Sequence, residues 1–225
     1  MNRKLFSARV ILFDWDGTLL NSFAADARAY LEMFRAMEIE WDAAKFEEHY
    51  SPDWYRVYRA ARLPRAKWRE ADRLWRRAYA SETPALLPGA RRIVRMLDRK
   101  FRLGIVTSGS RTRVRKQLRS FELAQYFSVC VCAEDAGRRK PHPAPIQLAM
   151  KRMRASPEET IYIGDSAEDV EMARRAGVRP VGVLGPFPTA KRMRAADPDL
   201  LLRSMEDLPR YLYAPRKNAS GRSRA

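Results

Sequence analysis

The chain has 225 residues, 46% of them hydrophobic, with a formal net charge of +17 and a pI near 10.4. That length buries one substantial core and a smaller second one, while no stretch reaches the roughly 18 to 20 apolar residues a membrane span needs. The N-terminal apolar run is broken by Arg9 and ends in Asp14 and Asp16, so neither a signal peptide nor an anchor is expected.

The positive charge permits an anionic substrate, a nucleic acid or an acidic surface as partner. The basic residues are spread over several predicted helices rather than gathered into one stripe, which favours a solvated arginine-rich surface over a nucleic-acid site. Cys130 and Cys132 alternate with Val129 and Val131, so their thiols point the same way, but such close neighbours on one strand make a poor disulfide. A reducing compartment, the cytoplasm, is expected.

Val10 to Phe13 form a short apolar run that ends at Asp14-Trp15-Asp16-Gly17-Thr18, a buried strand delivering polar residues at its C-terminal end. Chemistry collects at that end in open parallel sheets. From residue 21 to 87 the character changes. Trp41, Tyr50, Trp54, Tyr55, Tyr58, Trp68, Trp75 and Tyr79 recur among charged residues at mostly helical spacing, with turns near Pro52 and Pro64. This is an all-helical insertion with the aromatics as its own small core. Pro88-Gly89 closes it and an amphipathic helix follows to Arg99. Strands are then predicted at 101–107, 128–132, 160–164 and 180–183, alternating with helices at 111–119, 145–154 and 169–176. Such alternation specifies an α/β/α layered, Rossmann-like core around a parallel sheet. The expected division is a core of 1–20 and 88–210, a helical segment of 21–87, and a basic disordered tail from 211 to 225.

Four polar clusters fall where those strands stop: Asp14 and Asp16; Thr107-Ser108-Gly109; Lys140; and Gly164-Asp165 followed by Asp169. A parallel sheet brings them to one edge. Two carboxylates at i and i+2 either coordinate a hard cation or divide nucleophilic and proton-transfer duties, and Asp165 completes an oxygen-rich magnesium site. The Thr107 hydroxyl and the backbone amides to Gly109 can cradle phosphate oxygens, and Lys140 adds a point charge for the same group. Asp165 and Asp169 have a second reading as caps of the following helix.

Phe13-Asp14-Trp15-Asp16-Gly17-Thr18-Leu19, Thr107 after Gly104-Ile105-Val106, Lys140-Pro141-His142-Pro143 and Gly164-Asp165-Ser166-Ala167-Glu168-Asp169 resemble, in identity and order, the four motifs of the haloacid dehalogenase superfamily. The resemblance runs from about Leu5 to Leu208, and the position of the insertion is similar to the branch with a helical cap that includes phosphoglycolate phosphatase-like enzymes. It implies a Mg²⁺-dependent phosphatase acting on a small organic phosphate monoester. Asp14 is then the nucleophile that becomes an aspartyl-phosphate, and Asp16 the general acid and base. The resemblance makes the Asp14 side chain, the Asp16 carbonyl and the Asp165 side chain metal ligands, with Asp169 supporting the metal site. Thr107 binds phosphoryl oxygens and Lys140 bridges nucleophile and phosphate. Asp16 separates phosphatase-like members from those that attack carbon, and Gly17-Thr18 resembles phosphatases more than phosphohexomutases. His142 holds the variable position of the Lys-Pro-x-Pro motif and is left as a loop residue.

Phosphoglycolate is the leading substrate by resemblance, with pyrophosphatase, sugar phosphatase and nucleotidase as alternatives. A basic nucleic-acid-associated protein is the alternative from another class. Residues 21–53 hold eight acidic and three basic residues, and 54–80 nine basic and two acidic. Besides two complementary solvated faces, this admits an arginine of the insertion, Arg56, Arg59, Arg62 or Arg65, reaching the active site to bind an anionic substituent.

Overall fold

A computed structural model describes residues 8–212, so all but the first two residues of the expected tail lie outside the described part. In chain order, β1 (Val10–Phe13) and β2 (Leu20–Asn21) precede four helices, α1 (Phe23–Ala36), α2 (Ala43–His49), α3 (Trp54–Ala60) and α4 (Trp68–Tyr79). The chain continues through β3 (Ala85–Leu86), α5 (Ala90–Asp98), β4 (Arg102–Val106), α6 (Arg111–Ser120), β5 (Phe127–Val131) and α7 (Ala144–Met153). The last elements are β6 (Thr160–Gly164), α8 (Ala167–Arg175), β7 (Arg179–Val183), α9 (Ala190–Ala195), β8 (Leu200–Leu202) and α10 (Pro209–Leu212).

Six strands form one parallel sheet in the order β5-β4-β1-β6-β7-β8. The side-chain period of two distributes each strand between two cores. Ile11, Phe13, Leu103, Ile105, Ile161 and Ile163 pack with α5 and α6 on one face. Val10, Leu12, Val106 and Tyr162 pack with α7 and α8 on the other. This is the three-layer α/β/α arrangement of a Rossmann-type fold. β1 is wholly buried because it is central and covered on both sides.

The helices α1 to α4 leave the sheet through β2 and return through β3, an antiparallel ribbon of two residues a side. Their own core holds Tyr30, Met33, Phe34, Phe46, Val57 and Tyr58, with the tryptophans at its margin. Three strands escaped the sequence reading. β2 and β3 are too short to show a period, and β8 is a three-residue apolar run between Asp199 and Arg203 that only its pairing with β7 makes a strand. The Cys130 and Cys132 Sγ atoms lie 3.5 Å apart as free thiols.

Candidate active site

β1 delivers Asp14 to the C-terminal edge of the sheet, where its N–H donates to the Ile163 carbonyl at 2.8 Å. The chain then turns through Gly17 at φ +77°, where a Cβ would stand 2.2 Å from Asp165 Oδ2, so glycine permits both the backbone shape and the approach of the two loops. Asp165 ends the neighbouring strand, held by Thr18 Oγ1 donating to its Oδ1 at 3.4 Å and Thr189 Oγ1 donating to its carbonyl at 2.7 Å.

Lys140 joins the loops. Its Nζ lies 2.8 Å from Asp14 Oδ1 and 2.7 Å from Asp169 Oδ1, with all three side chains buried. Asp169 is fully engaged: the Tyr162 hydroxyl donates to Oδ1 at 2.9 Å, and the Ser166 hydroxyl and N–H donate to Oδ2 at 2.6 and 3.1 Å. It also closes a capping box at the start of α8. The capping reading of Asp169 thus holds, and the same side chain also contacts Lys140.

Arg113 of α6 forks onto Asp16, Nη1 donating to Oδ1 at 2.8 Å and Nη2 to Oδ2 at 2.6 Å. Its guanidinium also lies 5.0 Å from the ring centre of Tyr79 on α4. Burial pushes the Asp16 carboxyl up, but Arg113 outweighs it and holds the group below its ordinary range.

In the Thr107–Gly109 turn, the Thr107 amide donates to the Val131 carbonyl at 3.0 Å and the Gly109 amide to Thr107 Oγ1 at 3.0 Å. The Arg111 amide at the start of α6 donates to Glu134 Oε2 at 2.9 Å. Of the phosphate cradle expected from sequence, the Thr107 hydroxyl, Ser108 and Lys140 remain available at the cavity wall. His142 accepts from the Ala144 N–H at 3.2 Å, a local loop contact.

Asp14, Asp165 and Asp169 can each bring a carboxylate oxygen within 4.8 Å of the others, all buried. Burial raises Asp14 to about 7 although Lys140 pulls it down, and burial together with Asp14 and Asp169 lifts Asp165 well above the usual carboxylate range. Crowded buried carboxylates fit a cation, and an all-oxygen donor set suits a hard one such as Mg²⁺. With both Asp169 oxygens occupied, the side chains free to bind it are those of Asp14 and Asp165.

Asp14, Asp16, Thr107, Ser108, Lys140 and Asp165 line one wall of a cavity of about 410 Å³ between the sheet edge and the helical segment. Its opposite wall includes Asp26, Tyr30, Trp54, Tyr58, Trp75 and Tyr79. The arginines that line the cavity are Arg76, Arg113 and Arg139. Arg56, Arg59, Arg62 and Arg65 are not among its lining residues. Arg56 and Arg59 pair with Asp53, while Arg59 and Arg65 lie against Trp68. None of those four arginines lines the cavity, which favours the reading of two solvated faces, and Arg56 reaches the core at Glu168 instead. Arg113, Tyr162 and Arg139 had no signal in the sequence, being single members of arginine runs or a strand tyrosine whose partners are distant in the chain.

A sequence model of haloacid dehalogenase-like hydrolases matches residues 11–183. The chain is 34% identical over 113 residues to a phosphoglycolate phosphatase of Salmonella paratyphi A, covering 50% of this chain and 45% of that protein. It is 35% identical over 111 residues to the pyrophosphatase PpaX of Bacillus pumilus, covering 49% and 51%. It thus spans about half the length of these relatives. The crystal structure of CbbY from Rhodobacter sphaeroides in complex with phosphate superposes with a TM-score of 0.74 at 26% identity, covering 89% of this chain and 96% of that one. Four motifs converging on one sheet edge, a match over most of the chain and a shared fold lead to one conclusion: the chain belongs to the haloacid dehalogenase-like hydrolase family.

Proposed function

We propose that the protein is a phosphatase that hydrolyses a small organic phosphate monoester through a covalent aspartyl-phosphate on Asp14. The observation that carries this reading is the buried Asp14–Lys140–Asp169 chain at the end of β1, with Lys140 2.8 Å from the Asp14 carboxylate. A carboxylate whose one oxygen is held by a fixed ammonium keeps the other for attack, and the ammonium is positioned to neutralise the incoming phosphoryl oxygens.

In this account Asp14 forms a bond to phosphorus as the bond to the leaving oxygen breaks. Asp16, which must first leave the Arg113 fork that holds it ionised and take up a proton, gives that proton to the leaving oxygen and then takes one from the water that cleaves the acyl phosphate. Thr107, Ser108 and Lys140 hold the transferred group. Mg²⁺ bound by the Asp14 and Asp165 side chains and the Asp16 carbonyl would supply further positive charge at the phosphoryl oxygens. The helical segment 21–87 acts as a cap that excludes water. Phosphoglycolate is the first candidate substrate. A cytoplasmic location is part of this reading, with Cys130 and Cys132 as free thiols.

The test is phosphate release from a panel of phosphoglycolate, pyrophosphate, sugar phosphates and nucleotides, with Mg²⁺ or with EDTA, for the parent chain and Asp14→Asn. Turnover that requires Mg²⁺ and disappears in the variant is expected. Full activity in Asp14→Asn rejects the covalent route.

A further inference from the structure

Arg139 directly precedes Lys140 and lines the same cavity, but it is held in a different way. Its guanidinium carbon lies 3.7 Å from the ring centre of Trp54 and 4.3 Å from that of Tyr55, both on α3, and its Nη2 donates to the Tyr55 hydroxyl at 3.2 Å. Two rings of the helical segment thus hold a planar group that the core loop supplies. Its Nη1 is shielded from solvent and has no hydrogen-bond acceptor, and the Nε1 of the Trp54 ring it stacks on is buried without a partner too.

The other fixed cations of the wall are already matched, Lys140 by Asp14 and Asp169 and Arg113 by Asp16. Glu134 and Asp72 line the cavity, yet neither pairs with Arg139; Asp72 accepts from Tyr58 and Glu134 from the Arg111 amide. Arg76 reaches the cavity from α4 but is exposed. A desolvated guanidinium N–H stacked on an indole whose own N–H is unpartnered, with no carboxylate paired to it, is costly unless an oxyanion completes it. A guanidinium edge is also the side chain best shaped for one.

We propose that Arg139 Nη1 and Trp54 Nε1 form a subsite for a second anionic group, a carboxylate or a phosphoryl, carried by the leaving group of the phosphate ester. The proposal rests on the phosphatase reading for the position of the first phosphoryl group, and it moves the recognising arginine from the helical segment to the core loop that also supplies Lys140. Stacking on Trp54 and Tyr55 pre-orients the fork, so the anion is met by a group that loses little freedom on binding. Because the clamp includes α3, the subsite is complete only when that helix lies over the core.

The test is calorimetric binding to the full chain carrying Asp14→Asn, in Mg²⁺, of three probes: 2-phosphoglycolate, pyrophosphate and ethyl phosphate. The first two bear a second anion of different chemistry and the third bears none. At least one of the first two should bind about tenfold or more tightly than ethyl phosphate, the scale of one charge-assisted contact. Which of them does so identifies the anion. That preference should vanish when Arg139→Gln is added, shrink with Trp54→Phe, which keeps the ring and removes the N–H, and survive in part with Arg139→Lys. It should persist with Arg76→Gln. Equal binding of all three probes, no binding of any, or a preference that survives Arg139→Gln overturns the subsite. Phosphate release by the parent chain reports separately on catalysis: turnover without an anion preference rejects the subsite alone, and the preference without turnover supports the subsite while rejecting the phosphatase reading.

Discussion

Asp169 offers no free oxygen to a ligand, since Lys140, Tyr162 and Ser166 take both. Its contribution is to hold the Lys140 ammonium against Asp14, and the two carboxylates keep that ammonium charged despite burial. Asp169→Asn should leave the fold intact and lower kcat by about 10- to 100-fold, the usual consequence of losing a supporting partner. Steady-state rates with the preferred ester check this, and an unchanged kcat contradicts it. Asp26 gives a second test. Burial and the neighbouring Asp16 raise it from 3.8 to about 7, so the native state binds more protons than the unfolded chain between those values and stability falls as pH rises through that window. Asp26→Asn removes this loss, and its Tm advantage over the parent should grow from about pH 4 to about pH 7 and then level off. A Tm difference independent of pH would show that the carboxyl titrates normally.

At this scale the sequence was informative wherever chemistry is written locally. Asp14, Asp16, Thr107, Lys140, Asp165 and Asp169 each sit in a short pattern at a strand end, and the fold brings the six to one cavity and its floor. Arg113 was not legible, because it is one of four arginines on α6 and only its 2.6 Å contact with Asp16, 97 residues earlier, distinguishes it.

Among the elements, the helical segment and the core meet through few but specific contacts. Phe187, in the loop after β7, stacks on Tyr50 at 4.7 Å and meets Phe23 edge-on at 5.2 Å. Glu168 at the start of α8 receives Arg56 from α3 at 3.5 Å and Arg192 from α9 at 3.4 Å, while Arg192 Nη2 donates to the Tyr50 carbonyl at 3.0 Å. The two arginine side chains are 54% and 41% exposed, so each pair contributes at most about 1 kcal/mol. Glu168→Gln should loosen the docking without unfolding the chain. Hydrogen exchange should quicken over residues 54–60 while the amides of β1 stay protected, and exchange that rises equally in both would mean global destabilisation instead. The long periodic helices and central strands were readable from sequence because each carries several turns or a fully apolar run. β8 and the β2–β3 ribbon were not, since elements of two or three residues exist only through the partner they pair with.

For the whole molecule, the charge of +17 is the feature the catalytic account does not use. Arginines lie on every helix from α1 to α10 except α2, and several pair with carboxylates. A distributed surface of this kind binds polyanions through counterion release. Retention on heparin should therefore fall steeply as salt rises from about 50 to about 200 mM and be the same for Asp14→Asn. Tight duplex binding that persists at the higher salt would instead favour a nucleic-acid role.

The central claim is that Asp14 carries the phosphoryl group, and it is tested most directly by acid-quenching the protein during turnover of its preferred ester and mapping phosphoryl groups by peptide mass spectrometry. The account predicts one phosphoryl group on the peptide containing Asp14, appearing within the first turnover, decaying as substrate is exhausted, and absent from Asp14→Asn. Sustained phosphate release with that peptide never modified would contradict it and leave Asp14 as a ligand or base for direct attack by water.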